Sequence, residues 1–505
     1  MELARIRNVL IPLALLTLLA GGCSLPDDEP AASAGDPPSG GNPPAPPAPP
    51  GGPAPIAPSG VLLAYGTVTA FGDLRVNGVR YDTSQADFTI DGQSGTDADL
   101  AVGDVVLVAG RTNAGSAIQG TADTIVFDDT VEGPIGSIDE RQDSFVVLGQ
   151  TVRMTDDTSF DESIPQRGRF TLDVGNIVEV SGFRRSDGSI HATRIERKVF
   201  GPFPPEVETT GIVSSLDTVG RRFDIYGLDV DYSAAMLQDF PSGAVANGDL
   251  VEVKGTTLRA NDELVATRVV FVGGNVIGAV GDRVEIEGFI TRFVNAGDFD
   301  VAGIRSTTTS ATTVERGVAG DLTVDVKVEA EGLLDANGIL VSTKITIHRA
   351  EAVSLTGFVD SVNVAASSFE ALGITVTTDE RTRMDDKTRA DIRDFTLADL
   401  AAGDYVEVRG LELTVGSNQV LASRVEREDP QIRTELRGII QSANAPSFMI
   451  LGVTVSTSVA TVFSDDDSSI SAEAFFAQAL PGTLARARGI EITDRAIAAT
   501  EVELE

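Results

Sequence analysis

One eight-residue phrase recurs along this chain at a near-constant interval, which restricts the fold to a series of like units. The phrase is a polar turn, then alternating apolar positions, then a closing glycine. It reads Gly103-Asp104-Val-Val-Leu-Val-Ala-Gly110, Gly175-Asn176-Ile-Val-Glu-Val-Ser-Gly182 and Gly248-Asp249-Leu-Val-Glu-Val-Lys-Gly255. A worn copy ends at Gly332, a clean one spans Gly403-Asp404 to Gly410, and a last spans Gly482 to Gly489. The closing glycines stand 72, 73, 77, 78 and 79 residues apart. Each interval is the length of a small domain, so the chain reads as an array of beads.

The first residues set the expected address. Arg5 and Arg7 precede an apolar run from Val9 to Ala20. At ~1.5 Å per residue the run covers only ~18 Å, well short of a ~30 Å hydrocarbon core. Its length and charge are those of a secretory signal peptide over 1–22. The run ends on Ala20-Gly21-Gly22-Cys23, which carries the only cysteine of the chain. This resembles the lipobox of bacterial lipoproteins. That resemblance implies cleavage before Cys23, acylation of its sulfur and new amino terminus (palmitate among the chains), and, with Ser24 following, the outer membrane. Several acyl chains would anchor stably where one binds marginally. With Cys23 acylated, no disulfide is possible, and the beads must hold by packing alone.

Residues 23–60 hold thirteen of the 23 prolines, mixed with Gly, Ala and Ser. Such a stretch has too few apolar side chains to fold and prefers extended polyproline II. It is expected to be a disordered stalk reaching on the order of 110 Å at ~3.1 Å per residue. Beads are expected at 61–129, 130–200, 209–272, 282–350, 351–429 and 431–505. Each opens on a glycine-led strand such as Gly136-Ser-Ile or Gly357-Phe-Val. A hairpin phrase, aromatic-x-apolar-x-Gly, follows: Phe145 to Gly149, Phe223 to Gly227, Phe299 to Gly303, Phe369 to Gly373, Phe448 to Gly452, with Leu74 ahead of Gly78 in the first bead. The recurrent turn and strand come next, and a strand such as Leu264-Val-Ala-Thr-Arg-Val closes the bead. Turns at Asp187-Gly188 and Asn337-Gly338 suit two-residue hairpins.

Period-two alternation with β-branched residues makes these half-buried antiparallel strands. The polar stretch after the hairpin has weak helical character in places, with Lys387–Leu400 and Ser471–Leu480 the best candidates. Five strands with an optional helix after the third predict an all-β fold: six small OB-like five-stranded β-barrels in tandem. A sandwich-like five-strand sheet is the alternative. The proline-bearing segment Phe200–Glu208 and the segment Gly273–Asp282 read as linkers, with weak coupling between neighbours.

The phrases quoted above resemble a repeated bacterial module, domain of unknown function 5666. The resemblance covers most of the chain after the stalk and is clearest in beads two, three and five. It implies a secreted or lipid-anchored β protein and supplies no catalytic residues.

Little chemistry is legible. The two histidines, His191 and His348, belong to different beads and inequivalent places, one inside a last strand and the other just after one. No Ser-His-Asp set emerges, so no enzyme, cofactor or metal site is expected. Seventy-five acidic against 39 basic residues leave a net charge of −36. Acidic clusters at Asp156-Asp157 with Asp161-Glu162, and at Asp465-Asp466-Asp467, lack the spacing of a dedicated calcium loop, as does Asp335-Ala-Asn337-Gly338. The glycine-rich Gly273–Gly278 leads into a strand, not the helix of a phosphate loop. Nucleic-acid binding needs a positive groove with stacking aromatics, and a pI near 4.3 argues against it. The sequence therefore predicts a non-enzymatic, lipid-anchored envelope protein: a multivalent scaffold of acidic modules with envelope or extracellular protein or glycan partners. The alternative is a Ca²⁺- or glycan-binding lipoprotein in which one divergent repeat, the fourth or the sixth, binds and the others are spacers.

Overall fold

The computed structural model describes residues 61–505 apart from short loops at 114–117, 156, 165–170, 199–205, 260–262, 274–277, 349–351, 415 and 466–467. The leader, Cys23 and the proline-rich stalk lie outside the described residues.

Repeat one shows the plan. Its five main strands are Leu62–Ala70, Leu74–Val76, Val79–Asp82, Val105–Thr112 and Gln119–Phe127. The first pairs antiparallel with the second, the second with the third, and the third runs parallel to the fifth. The fifth returns antiparallel to the fourth, and the fourth to the first. The ring order 1-2-3-5-4-1 is a closed OB-type barrel. The same ring closes in repeat two, in repeat four, in repeat five and in repeat six. Repeat three also closes, although its first strand is broken at Val213. The sandwich alternative is set aside by this closure.

The recurrent phrases now have physical reasons. The hairpin phenylalanines Phe145, Phe223, Phe299, Phe369 and Phe448 all point inward and are at most 3% exposed. The closing glycine of the fourth strand sits opposite a β-bulge in the fifth, where the register between the two slips by one residue in every repeat. A Cβ on Gly110, Gly182, Gly255, Gly332, Gly410 or Gly489 would stand 2.1–2.5 Å from a carbonyl oxygen of the fifth strand. No side chain fits there. The acid of the turn is equally specific: Asp104, Asp249 and Asp404 each accept the amide three residues earlier, at 2.6, 2.7 and 2.9 Å. A seventh copy of the phrase, Gly281-Asp282-Arg-Val-Glu-Ile-Glu-Gly288, leads into the first strand of repeat four instead of a fourth strand.

Two expectations about helices divide. The stretch 471–480 contains a helix, Ala472–Gln478, whose Phe475 is fully buried. The stretch 387–400 contains only a 3₁₀ turn at Leu397–Asp399. There the buried Asp386 carboxylate accepts the amides of Thr388 and Ile392 and the Arg427 guanidinium. A carboxylate that gathers backbone amides locally competes with the helical ladder. In this region five repeats add a short strand, such as Arg383–Asp386, parallel to the fifth.

The independence of the beads is corrected. A long first strand uses its two halves differently: in repeat one, Leu62–Thr67 pairs with the fourth strand and Val68–Ala70 with the second. One side of the early half is left as an open edge, and open edges recruit strands. Here another repeat's first strand fills it. Leu62–Tyr65 pairs parallel with Arg283–Ile286 of repeat four. Val131 and Glu132 pair antiparallel with Thr209 and Glu208, and Ser354–Thr356 with Glu435–Arg437. The six barrels therefore form three shared sheets, joining repeats one with four, two with three, and five with six. Repeats two and three share one apolar core, and so do five and six. The weak coupling expected between repeats two and three is thus replaced by direct strand pairing. The described residues from 61 to 505 form one compact unit.

Candidate functional site at the junctions between repeats

Packing between repeats brings polar side chains of different repeats together, and several charged clusters lie at these junctions. On the junction of repeats one and two, Arg194 is 7% exposed. It reaches Asp161 at 2.6 Å, Glu196 at 3.3 Å and Asp104 of repeat one at 3.4 Å. Burial pushes Asp104 up to about 6, against the pull of Arg194. For Asp161, burial is outweighed by the Ser163 amide and Arg194, which hold it near 2. Beside them the Val105 amide donates to Ser181 Oγ at 2.7 Å. Repeat five grips repeat one through Glu380, which takes a two-pronged contact from Arg80 at 2.9 and 3.0 Å. Arg393 also lies 3.8 Å over the Phe71 ring and donates to the Leu100 carbonyl at 2.8 Å.

A cavity of about 100 Å³ opens where repeats one, two, four and five meet. Its charges are largely matched. Arg381 grips Glu329 at 2.9 and 2.5 Å, Lys327 meets Glu287 at 2.8 Å, and Arg383 donates to the Asp157 carbonyl at 2.7 Å. Burial would raise Glu287, but Lys327, His348 and the Thr67 amide hold it near 2. His348 is the last residue of the strand Leu340–His348, not a residue beyond it. Although the two histidines come from different repeats, both feel Lys327 and Asp157, so folding brings them to the same junction. Burial, then Lys327, pushes each down to about 4. His191 Nε2 lies 3.3 Å from the Thr155 hydroxyl and its ring 5.2 Å from Phe289.

The junction of repeats one, two and three is different in kind. Glu132 stands directly across from Glu179 on one side and from Glu208 on the other, making a row of three glutamates over three strands. Asp129, 0% exposed, lies against this row, and neither of its carboxylate oxygens has a hydrogen-bond partner. The turn residue Asp91 of repeat one completes the cluster. Burial pushes Asp129 well above the usual carboxylate range and Glu132 up to about 7. It also lifts Glu179 and Glu208 to about 8, against the pull of Lys198 and Lys254 respectively.

The clusters singled out in the sequence fare otherwise. Asp161 is taken by Arg194, and Asp335 accepts the amides of Asn337 and Ile339 within its own turn. Asp156, Asp466 and Asp467 lie outside the described residues, as does Cys23. The divergence of repeat four has a packing reason: Asp325 takes the positive-φ position (64°) that glycine holds in the other five turns. Its carboxylate accepts the Ser186 amide at 2.9 Å and meets Arg185 at 3.2 Å, docking repeat four on repeat two. No helix among the described residues is long and apolar enough to cross a membrane.

Comparison with known proteins agrees with this repeat structure. The family model described as a domain of unknown function, DUF5666, matches residues 65–124, 132–196, 210–270, 287–346, 356–426 and 437–503. No curated protein matches the chain. Each matched segment runs from within a first strand to within or just before the end of the fifth strand of one barrel, so this chain belongs to the DUF5666 family as six tandem OB-type copies.

Proposed function

We propose that this is a non-enzymatic envelope protein, tethered to the outer membrane by lipid on Cys23, whose six barrels act together as one binding scaffold for envelope or extracellular components. The observation that supports the scaffold reading is edge capping. The first-strand edges that could recruit a foreign strand are occupied by other repeats, so partners would meet assembled outer surfaces. A net charge of −36 favours cationic or cation-bridged partners over nucleic acid or bare anionic lipid.

The test is metabolic labelling of the full chain with an alkyne-bearing fatty acid in a bacterial host, followed by in-cell crosslinking and purification. The expected result is label and membrane-fraction partners on the wild type, with both lost in Cys23→Ser. Label that survives Cys23→Ser, or an unlabelled wild type, would overturn the anchor. A labelled protein that captures nothing would overturn the scaffold.

A further inference from the structure

The row of glutamates at the junction of repeats one, two and three has no explanation within the fold. Like charges directly across a sheet destabilise it, and a buried carboxylate with no donor is among the costliest groups a protein can hold. Asp129 is fully buried with both oxygens unsatisfied, and Asp91 and Glu208 each leave one buried oxygen unsatisfied as well. Lys198 and Lys254 stand nearby but are engaged elsewhere in the cluster, Lys198 by Glu179 and Glu196, Lys254 by Glu208 and Glu252. Among the described residues no ion pair reaches the carboxylates of Asp91, Asp129 or Glu132; Lys254 donates only to the Asp91 backbone carbonyl, at 3.2 Å. What the cluster lacks is positive charge at its centre.

The geometry points to a Ca²⁺ site centred on Asp129, with Asp91 and Glu208 on one side and Glu132 and Glu179 on the other. In each of these two groups the carboxylate oxygens lie within 4.8 Å of one another. Oxygens this close can share one ion, and a set made of carboxylates suits calcium, which takes about six to eight oxygen ligands in flexible geometry. Magnesium demands near-ideal octahedral geometry, keeps several waters and is usually held by only one or two carboxylates, which suits this carboxylate-rich junction less well. The ligands come from three repeats: Asp91 from a turn and Asp129 from the end of the first, Glu132 and Glu179 from the second, Glu208 from the third. A bound ion would thus tie the shared sheet of repeats two and three to repeat one. Two other acidic groups, Asp360–Glu491–Asp494 and Glu407–Glu426–Glu428, have no such buried, unsatisfied member, and Glu407 is already paired with Arg409 and Arg424. The site stands on its own geometry and does not depend on the lipid anchor or the scaffold reading.

Calorimetric titration of the chelator-treated full chain with CaCl₂ at pH 7.5, and separately with MgCl₂, tests the assignment. The expected result is binding of one or two Ca²⁺ with a raised thermal midpoint, and at least about tenfold weaker binding of Mg²⁺. Asp129→Asn should weaken Ca²⁺ binding at least about tenfold while leaving the calcium-free protein no less stable, since it removes an unpartnered buried charge. Glu132→Gln, at a partly exposed position, carries the same expectation should Asp129→Asn fail to fold. A wild type with no calcium heat would overturn the site, and so would both variants titrating like the wild type. In either case the carboxylates would be holding shared protons instead of an ion.

Discussion

Replacing Gly410 by alanine is expected to destabilise repeats five and six by at least about 3 kcal/mol, the upper range for overpacking a rigid core. The added Cβ would sit 2.3 Å from the Leu421 carbonyl oxygen and 3.0 Å from the Ala422 Cα. Both are backbone atoms of the strand that Gly410 pairs with, so no side-chain rotation relieves the clash. Relief would require opening the bulge, and with it the pairing of the fourth and fifth strands that completes the barrel. Because repeats five and six share one core, the loss should appear in both. Chemical denaturation followed by a probe in each repeat checks this. Gly357→Ala is the control: its Cβ would meet only Thr434 Cγ2, at 3.9 Å, and should cost well under half as much.

Removing Arg194 is the second change of large expected effect. Arg194→Met keeps much of the side-chain volume and deletes the charge that serves Asp104, Asp161 and Glu196 at once. Breaking a buried ion pair on one side costs about 3–5 kcal/mol, because the remaining charge stays buried and uncompensated. Asp104 supplies the pH dependence. Its carboxyl is already raised to about 6 by burial, and a raised acid contributes stability that is present at low pH and lost as pH rises through the folded-state value. Without Arg194 it rises further, so the penalty for ionising it grows with pH. The deficit of Arg194→Met relative to wild type should therefore be larger at pH 7.5 than at pH 5. Urea denaturation at the two pH values measures it, and an equal deficit at both would show that Asp104 is not the group left uncompensated.

The parts of the fold written in local sequence were legible. The phenylalanine of the hairpin phrase and the glycine of the bulge are set by contacts within one barrel, and barrels recur, so their spacing revealed the unit and its closure. Pairing between barrels was not legible for a physical reason. It rests on backbone hydrogen bonds along Leu62–Tyr65, Val131–Glu132 and Ser354–Thr356, which almost any side chain can supply. Even the seventh copy of the phrase at Gly281–Gly288 carried no sign that it would lie beside repeat one. The acidic junction escaped for a related reason. Asp91, Asp129, Glu179 and Glu208 are far apart in the chain and unremarkable among 75 acids, and only folding makes them neighbours. Lys387–Leu400 misled because its polar pattern suits a helix, while the buried Asp386 collects the very amides a helix would need.

The central claim is that the six barrels pair through their first strands, and the pairs pack through charged junctions, into one body, and do not hang as separate beads. Small-angle X-ray scattering from a fragment beginning at Ala54 tests it most directly. A compact body of this length is expected to show a radius of gyration near ~22 Å. Six separate barrels on flexible joints would extend to about 40 Å or more, with a chain-like scattering profile at higher angle, and that result would contradict the account.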